Sequence, residues 1–190
     1  TGNHCDLPDG TAVQDLAVRV RDAHGDRLDY LVHLAGGFAL SGPVAESDPK
    51  TVDHMMRINY LTAFNVSRGF LPLVRNASGA FVFFASENVH EGVRTKGSSA
   101  YTAAKTAVVA LMRSLADEGR ESGVRANAIA PTSIRTATNE AAMGRGARFL
   151  EREDVALPKG SEGYARERGT GDGITRLAAD GLLAGLGLGD

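Results

Sequence analysis

Residues 98–119 read SSAYTAAKTAVVALMRSLADEG, a stretch whose apolar residues recur at helical spacing and which is therefore predicted to be a helix over about 99–119. On one side lies GAFVFFAS (79–86), a compact apolar run after a glycine. On the other lies GVRANAIAP (123–131), bounded by Gly123 and Pro131. Both read as strands, so the order is strand, helix, strand. That order calls for parallel pairing through a right-handed crossover.

The same alternation continues outward. In TAVQDLAVRVRDAHG (11–25) the apolar positions Val13, Leu16, Ala17 and Val20 fall on one helical face, and Gly25 follows as a stop. DYLVHLAGG (29–37) is a short apolar run closed by two glycines, predicted to be a strand buried on both faces. Ser47 or Asp48 with Pro49 marks a helix start, and the helix is expected to continue to Pro72. TGNHCDL (1–7) is predicted to be a short strand entering the turn before the first helix. Strands alternating with helices make an α/β fold, in which ligands gather beyond the carboxyl ends of a parallel sheet. Asp6, the glycines after Leu34, Ser86 and the segment PTSIRT (131–136) all fall at such ends.

The chain has 190 residues, 43 % hydrophobic and 23 % charged, which suits one globular domain. A formal charge of −2, with basic and acidic residues interspersed, offers no stripe for a nucleic acid backbone. No apolar run is long enough to cross a bilayer and no signal peptide opens the sequence, so a cytoplasmic location without membrane contact is expected. The lone Cys5 and five dispersed histidines give no metal-binding spacing, and no metal site is expected. From residue 157 onward nine glycines in 34 residues predict a weakly ordered tail over 157–190.

Within the helix at 99–119, Tyr101 and Lys105 stand four apart and so share one face. A phenol with a pKa near 10 is a poor proton carrier at neutral pH unless a nearby cation favours its phenolate, which Lys105 could do. With four tyrosines in the chain, this spacing arises by chance about one time in ten. Ser86 adds to it, because a hydroxyl at a strand's carboxyl end can hold a substrate oxygen beside the phenol.

Taken together, LVHLAGG, INYLTAFNVSRGFLP, GAFVFFAS, SAYTAAKTAVVALMRSLADE and GVRANAIAPTSIRT resemble the short-chain dehydrogenase/reductase family, in that family's order, over about residues 3–156. The resemblance implies a Rossmann-like doubly wound parallel sheet with helices on both faces. It also implies oxidoreductase activity on a carbonyl or alcohol, or on a related C=N or C=C bond, with NAD or NADP. By motif, the catalytic residues are Asn59, Ser86, Tyr101 and Lys105. Tyr101 is then the acid/base, Ser86 orients the substrate oxygen, Lys105 lowers the tyrosine pKa and binds the nicotinamide ribose, and Asn59 holds a relay water. The cofactor-binding positions implied are Asp6, Leu7, Ala35, Gly36, Lys105, Pro131, Thr132, Ser133, Ile134 and Thr136. A homo-oligomer through helices at 48–70 and 99–119 and a small-molecule substrate are implied as well.

His33 and Leu34 stand where the family carries two asparagines, and Thr132 stands in place of its usual glycine. By motif order Thr1 falls near the family's third strand. The domain expected over residues 1–156 is therefore truncated at its N-terminal βαβ unit, without the Gly-rich turn that meets the pyrophosphate, and atypical at its C-terminus. Cofactor binding at least about tenfold weaker than in a full-length relative is expected on that ground, if about 1.4 kcal/mol is lost. A non-redox role in binding, assembly or other proton transfer is the competing expectation.

Overall fold

The computed structural model describes residues 2–143, 149–152, 174–177 and 183–184. Helix α1 (Gly10–His24) is followed by strand β1 (Tyr30–His33) and helix α2 (Pro49–Met55). A π-helical segment (Met56–Leu61) leads without a break into α3 (Thr62–Asn76). Then come β2 (Ala80–Phe84), α4 (Ser99–Gly119), β3 (Arg125–Pro131), α5 (Ala137–Met143), β4 (Ile174–Leu177) and β5 (Leu183–Ala184). The strands form one sheet in the order β1-β2-β3-β4-β5, parallel except for β5. The fold is a parallel α/β Rossmann-like architecture.

Local chemistry explains the helix bounds. Asp9 caps α1 by accepting from the amides of Thr11 at 2.8 Å and Ala12 at 3.3 Å, and Gly25 closes it with its own amide on the Arg21 carbonyl at 2.8 Å. Asp9→Ala is therefore expected to lower stability by about 1 kcal/mol, read as a lower urea midpoint at unchanged slope. Asp48 caps α2 through the Lys50 amide at 2.9 Å. The helix expected to stop at Pro72 runs on to Asn76. A proline forfeits one backbone bond, and burial of Leu73 and Val74 beyond it holds the last turn.

Register aligns Leu31 with Phe81, His33 with Phe83, and Phe83 with Ala128 on one sheet face. There Phe81, Phe83, Ala126, Ala128 and Ala130 form the main core with Val74 of α3 and Val108 and Met112 of α4. A second cluster joins Val13 and Ala17 of α1 to Val66, Phe70 and Leu73 of α3. On the opposite face Phe84 and Ile129 meet Leu150.

Three expectations are corrected here. β1 is not buried on both faces, since Tyr30 is 66 % and Val32 55 % exposed. Among the described residues it pairs only with β2, which leaves it an edge strand. Residues 2–6 form no strand, and among the described residues no strand lies beside them to complete their backbone bonds. Strand β4, inside the segment expected to lack strands, pairs with β3 in the register Ala128 to Ile174. β5, also inside that segment, pairs antiparallel with β4, and the rest of the predicted tail lies outside the described residues.

Candidate active site

Two strand ends and two helices bring the reactive side chains together. β2 ends at Phe84, and Ser86 follows in extended conformation, its Oγ accepting from the Asn88 amide at 3.4 Å. α4 presents Tyr101 and Lys105 one turn apart on the face that packs against this strand end. The ammonium of Lys105 donates to the Phe84 carbonyl at 2.8 Å and lies 5.9 Å from the centre of the Tyr101 ring. Ser86, Lys105 and Asn59 are all buried, whereas Tyr101 is half-buried.

Asn59 enters from the π-helical segment, a wide turn of the kind found at functional sites. The turn loosens the normal ladder, and the Thr62 hydroxyl compensates by donating to the carbonyls of Ile58 and Asn59 at 2.9 and 3.1 Å. The Asn59 amide group clasps Gly37 from both sides: Oδ1 accepts from its N–H at 3.2 Å, and Nδ2 donates to its carbonyl at 3.0 Å and to that of Met55 at 3.0 Å. The side chain expected to serve a relay water thus fixes the loop after β1. That loop passes so close that a Cβ on Gly36 would fall 2.5 Å from Asn59 Oδ1 and 3.3 Å from Lys105 Nζ. Ala35 just before it is half-buried.

The other expected cofactor positions divide into two groups. Asp6 is exposed and Leu7 half-buried, in a turn before α1 that Asn65 of α3 holds through the Leu7 and Pro8 carbonyls at 3.0 and 3.1 Å. Pro131 closes β3, and the segment beyond it is pinned by its own backbone. The Leu150 amide donates to the Ser133 carbonyl at 2.8 Å, and the Arg135 amide donates to the Leu150 carbonyl at 2.8 Å. The Thr136 hydroxyl accepts from the Asn139 amide at 3.1 Å, and the Asn139 side chain donates to the Ile134 carbonyl at 2.7 Å. Thr132 differs from these, because its Oγ1 is buried with no protein partner among the described residues.

Electrostatics favour a protonated phenol. Burial pushes Tyr101 above its ordinary value, hydrogen bonding from Ser86 opposes this, and the Glu87 charge adds to it. Burial lowers Lys105 to about 8. The net direction is the reverse of the lowering expected from Lys105, with loss of hydration its first cause, and the ammonium donates to the Phe84 carbonyl. The arrangement holds a neutral hydroxyl beside a second hydroxyl, with a cation beneath the ring. Such a group can give a proton to an oxygen that is gaining negative charge.

Two residues at this site were not singled out as functional from sequence. His33, noted only as a departure from the family pattern, is 6 % exposed, with Nε2 lacking a protein partner among the described residues. Burial, and secondarily the Lys105 charge, lower its pKa to about 4. Phe38 packs edge to face on Tyr101 at 4.9 Å. It lies in the short loop after Gly37, whose path is fixed by tertiary contacts, among them the clasp by Asn59, that no sequence spacing reveals. Among the described residues no cluster of His, Cys, Asp or Glu could hold a metal ion, and no helix is long and apolar enough to cross a membrane.

Comparison with known proteins gives this geometry a setting. Residues 3–178 match the family model described as enoyl-(acyl carrier protein) reductase. The oxidoreductase UcpA of Salmonella typhimurium is 34 % identical over 137 residues, which is 72 % of this chain and 51 % of that protein. The chain thus spans about half the length of that curated relative. The structure titled "ElxO with NADP Bound" superposes with a TM-score of 0.81 at 25 % identity, covering 94 % of this chain and 77 % of that one. A short-chain type dehydrogenase/reductase from Mycobacterium ulcerans superposes with a TM-score of 0.78 at 26 % identity, covering 93 % and 68 % respectively.

Proposed function

Because the chain belongs to the short-chain dehydrogenase/reductase family, we propose that its site interconverts a carbonyl and an alcohol, with a nicotinamide cofactor as the hydride carrier and Tyr101 as the acid/base. The observation that carries this reading is the grouping of Tyr101, Ser86 and Lys105 around the end of β2, with the ammonium 5.9 Å from the phenol ring.

In reduction, the Tyr101 hydroxyl gives its proton to the carbonyl oxygen while Ser86 holds that oxygen by a hydrogen bond. In oxidation the same groups act in reverse. Lys105, anchored on the Phe84 carbonyl, keeps positive charge beneath the ring and limits the energy of the phenolate that proton transfer leaves behind. Asn59 acts at one remove, by holding Gly37 and with it the loop that faces Tyr101.

A nicotinamide and its ribose suit the residues available. Thr132 offers a buried hydroxyl with no protein partner among the described residues, and Gly36 presents bare backbone beside Lys105. Lys105, Gly36 and the segment Pro131–Thr136 would hold that end of the cofactor, and Asp6 and Leu7 the adenine end. When bound, the cofactor supplies or accepts the hydride. We extend the reading to a homo-oligomer through helices at 48–70 and 99–119, supported by the apolar surface of Val52 and Phe64, 38 % and 40 % exposed.

The test is to titrate the chain with NADH and NADPH by nicotinamide fluorescence and then follow cofactor oxidation against a panel of ketones and aldehydes. Saturable binding of one cofactor with carbonyl-dependent oxidation is expected. Failure of both cofactors to bind would favour a non-redox role for the same fold.

A further inference from the structure

The loop between β1 and α2 is fixed on both sides of one aromatic residue. Before Phe38, the Asn59 side chain brackets Gly37, and a Cβ there would fall 2.8 Å from Ile58 Cδ1. After it, the amides of Ser41 and Gly42 donate to the Gly97 carbonyl at 2.8 and 3.1 Å, and the Ser41 and Ser99 hydroxyls lie 3.2 Å apart. Ala39 packs on the cluster of Met55, Ala100 and Ala104. The backbone that carries Phe38 is thus tied to the N-terminal end of α4, the same turn that carries Tyr101.

On this support the Phe38 ring stands at 85° to the Tyr101 ring with centroids 4.9 Å apart, a favourable edge-to-face contact. Tyr101 covers only part of it, since Phe38 remains 61 % exposed. A large apolar side chain left open on a pinned loop offers a ring surface 4.9 Å from the centre of the ring that carries the proton-handling hydroxyl. Leu40, 68 % exposed two residues on, adds apolar surface to the same loop.

We propose that Phe38 is a specificity-determining residue that receives an aryl or similarly flat apolar substituent of the substrate, so that the preferred substrates are aryl-bearing ketones, aldehydes or their alcohols. This rests on the reading of Tyr101 as the acid/base. It adds a substrate class to that reading. Even one methylene in a hydrophobic subsite changes specificity by about 10- to 200-fold, and Phe38 supplies one wall of such a subsite.

The test compares benzylacetone with butanone, two methyl ketones that differ by a phenyl group remote from the carbonyl. For Phe38→Ala we expect the ratio of kcat/KM for benzylacetone to that for butanone to fall about tenfold, mainly through KM. Phe38→Tyr, which keeps the ring, should retain the preference, and unchanged circular dichroism should show that both variants fold. Saturation-transfer NMR of benzylacetone with the unmodified chain and each variant, with and without NADPH, reads the same subsite without requiring turnover. Equal losses for both ketones would overturn the proposal, because Phe38 would then serve Tyr101 rather than the substrate. So would an unmodified chain that binds benzylacetone no better than butanone. Phe38-dependent binding of benzylacetone without reduction of either ketone would overturn the oxidoreductase reading while leaving the aryl subsite standing.

Discussion

Tyr101→Phe is expected to reduce turnover by about 10²- to 10⁴-fold in kcat, the range that a positioned general acid contributes, while the fold is retained. The substitution removes the hydroxyl and nothing else. The ring keeps its edge-to-face contact with Phe38 at 4.9 Å and its place 5.9 Å from the Lys105 ammonium. Ser86 loses one neighbour but still accepts from the Asn88 amide at 3.4 Å. The hydroxyl is held protonated, chiefly by burial, so deleting it removes no charge from the folded chain. Stability should therefore move by no more than about 1 kcal/mol. Turnover within a few-fold of the unmodified chain, measured with saturating cofactor, would remove Tyr101 from the mechanism. A large fall in the urea midpoint would instead mark it as a structural residue.

What could be read from sequence followed the range of the forces involved. α1 and α4 depend on residues within a turn or two of each other, and their apolar spacing, with the Asp9 cap of α1, is written locally. β2 and β3 were legible because their flanking glycines and proline set the ends and their apolar runs meet helices in the expected way. The exposure of Tyr30 and Val32 was not legible, since a short apolar run looks alike whether or not another element covers its second face. Strand β4 pairs with β3 through its backbone, in a glycine-rich stretch with no period of its own.

The site shows the same division. The spacing of Tyr101 and Lys105 is a local fact. The engagement of the Asn59 amide with Gly37, 22 residues earlier, is a tertiary one that no spacing reveals. The family pattern supplied the names of the residues, and the structure supplied what their side chains touch.

His33 carries the second large effect, on acid stability. It occupies the end of β1, 6 % exposed, with its ring 6.2 Å from that of Phe83 and no protein partner for Nε2 among the described residues. Burial first, and the charge of Lys105 second, lower its pKa from 6.5 to about 4, opposed by a weaker backbone hydrogen bond. The folded chain therefore binds this proton later than the unfolded chain as pH falls. Above 6.5 neither state is protonated and His33 contributes no pH dependence. Between 6.5 and about 4 the unfolded state takes up the proton and the folded state refuses it, so stability falls with pH and by about pH 4 is lower by about 3 kcal/mol. Lys105, lowered only to about 8, is charged throughout this window, so its repulsion of a His33 imidazolium stays constant. Carboxylates titrate here too, and the comparison that isolates His33 is His33→Asn, which places the family's residue at the position and cannot take a proton. Urea denaturation at pH 7 and pH 4 should show the unmodified chain losing about 3 kcal/mol more than the variant between the two conditions. Equal losses would mean that the folded chain accommodates the imidazolium, and that the end of β1 opens enough to hydrate it.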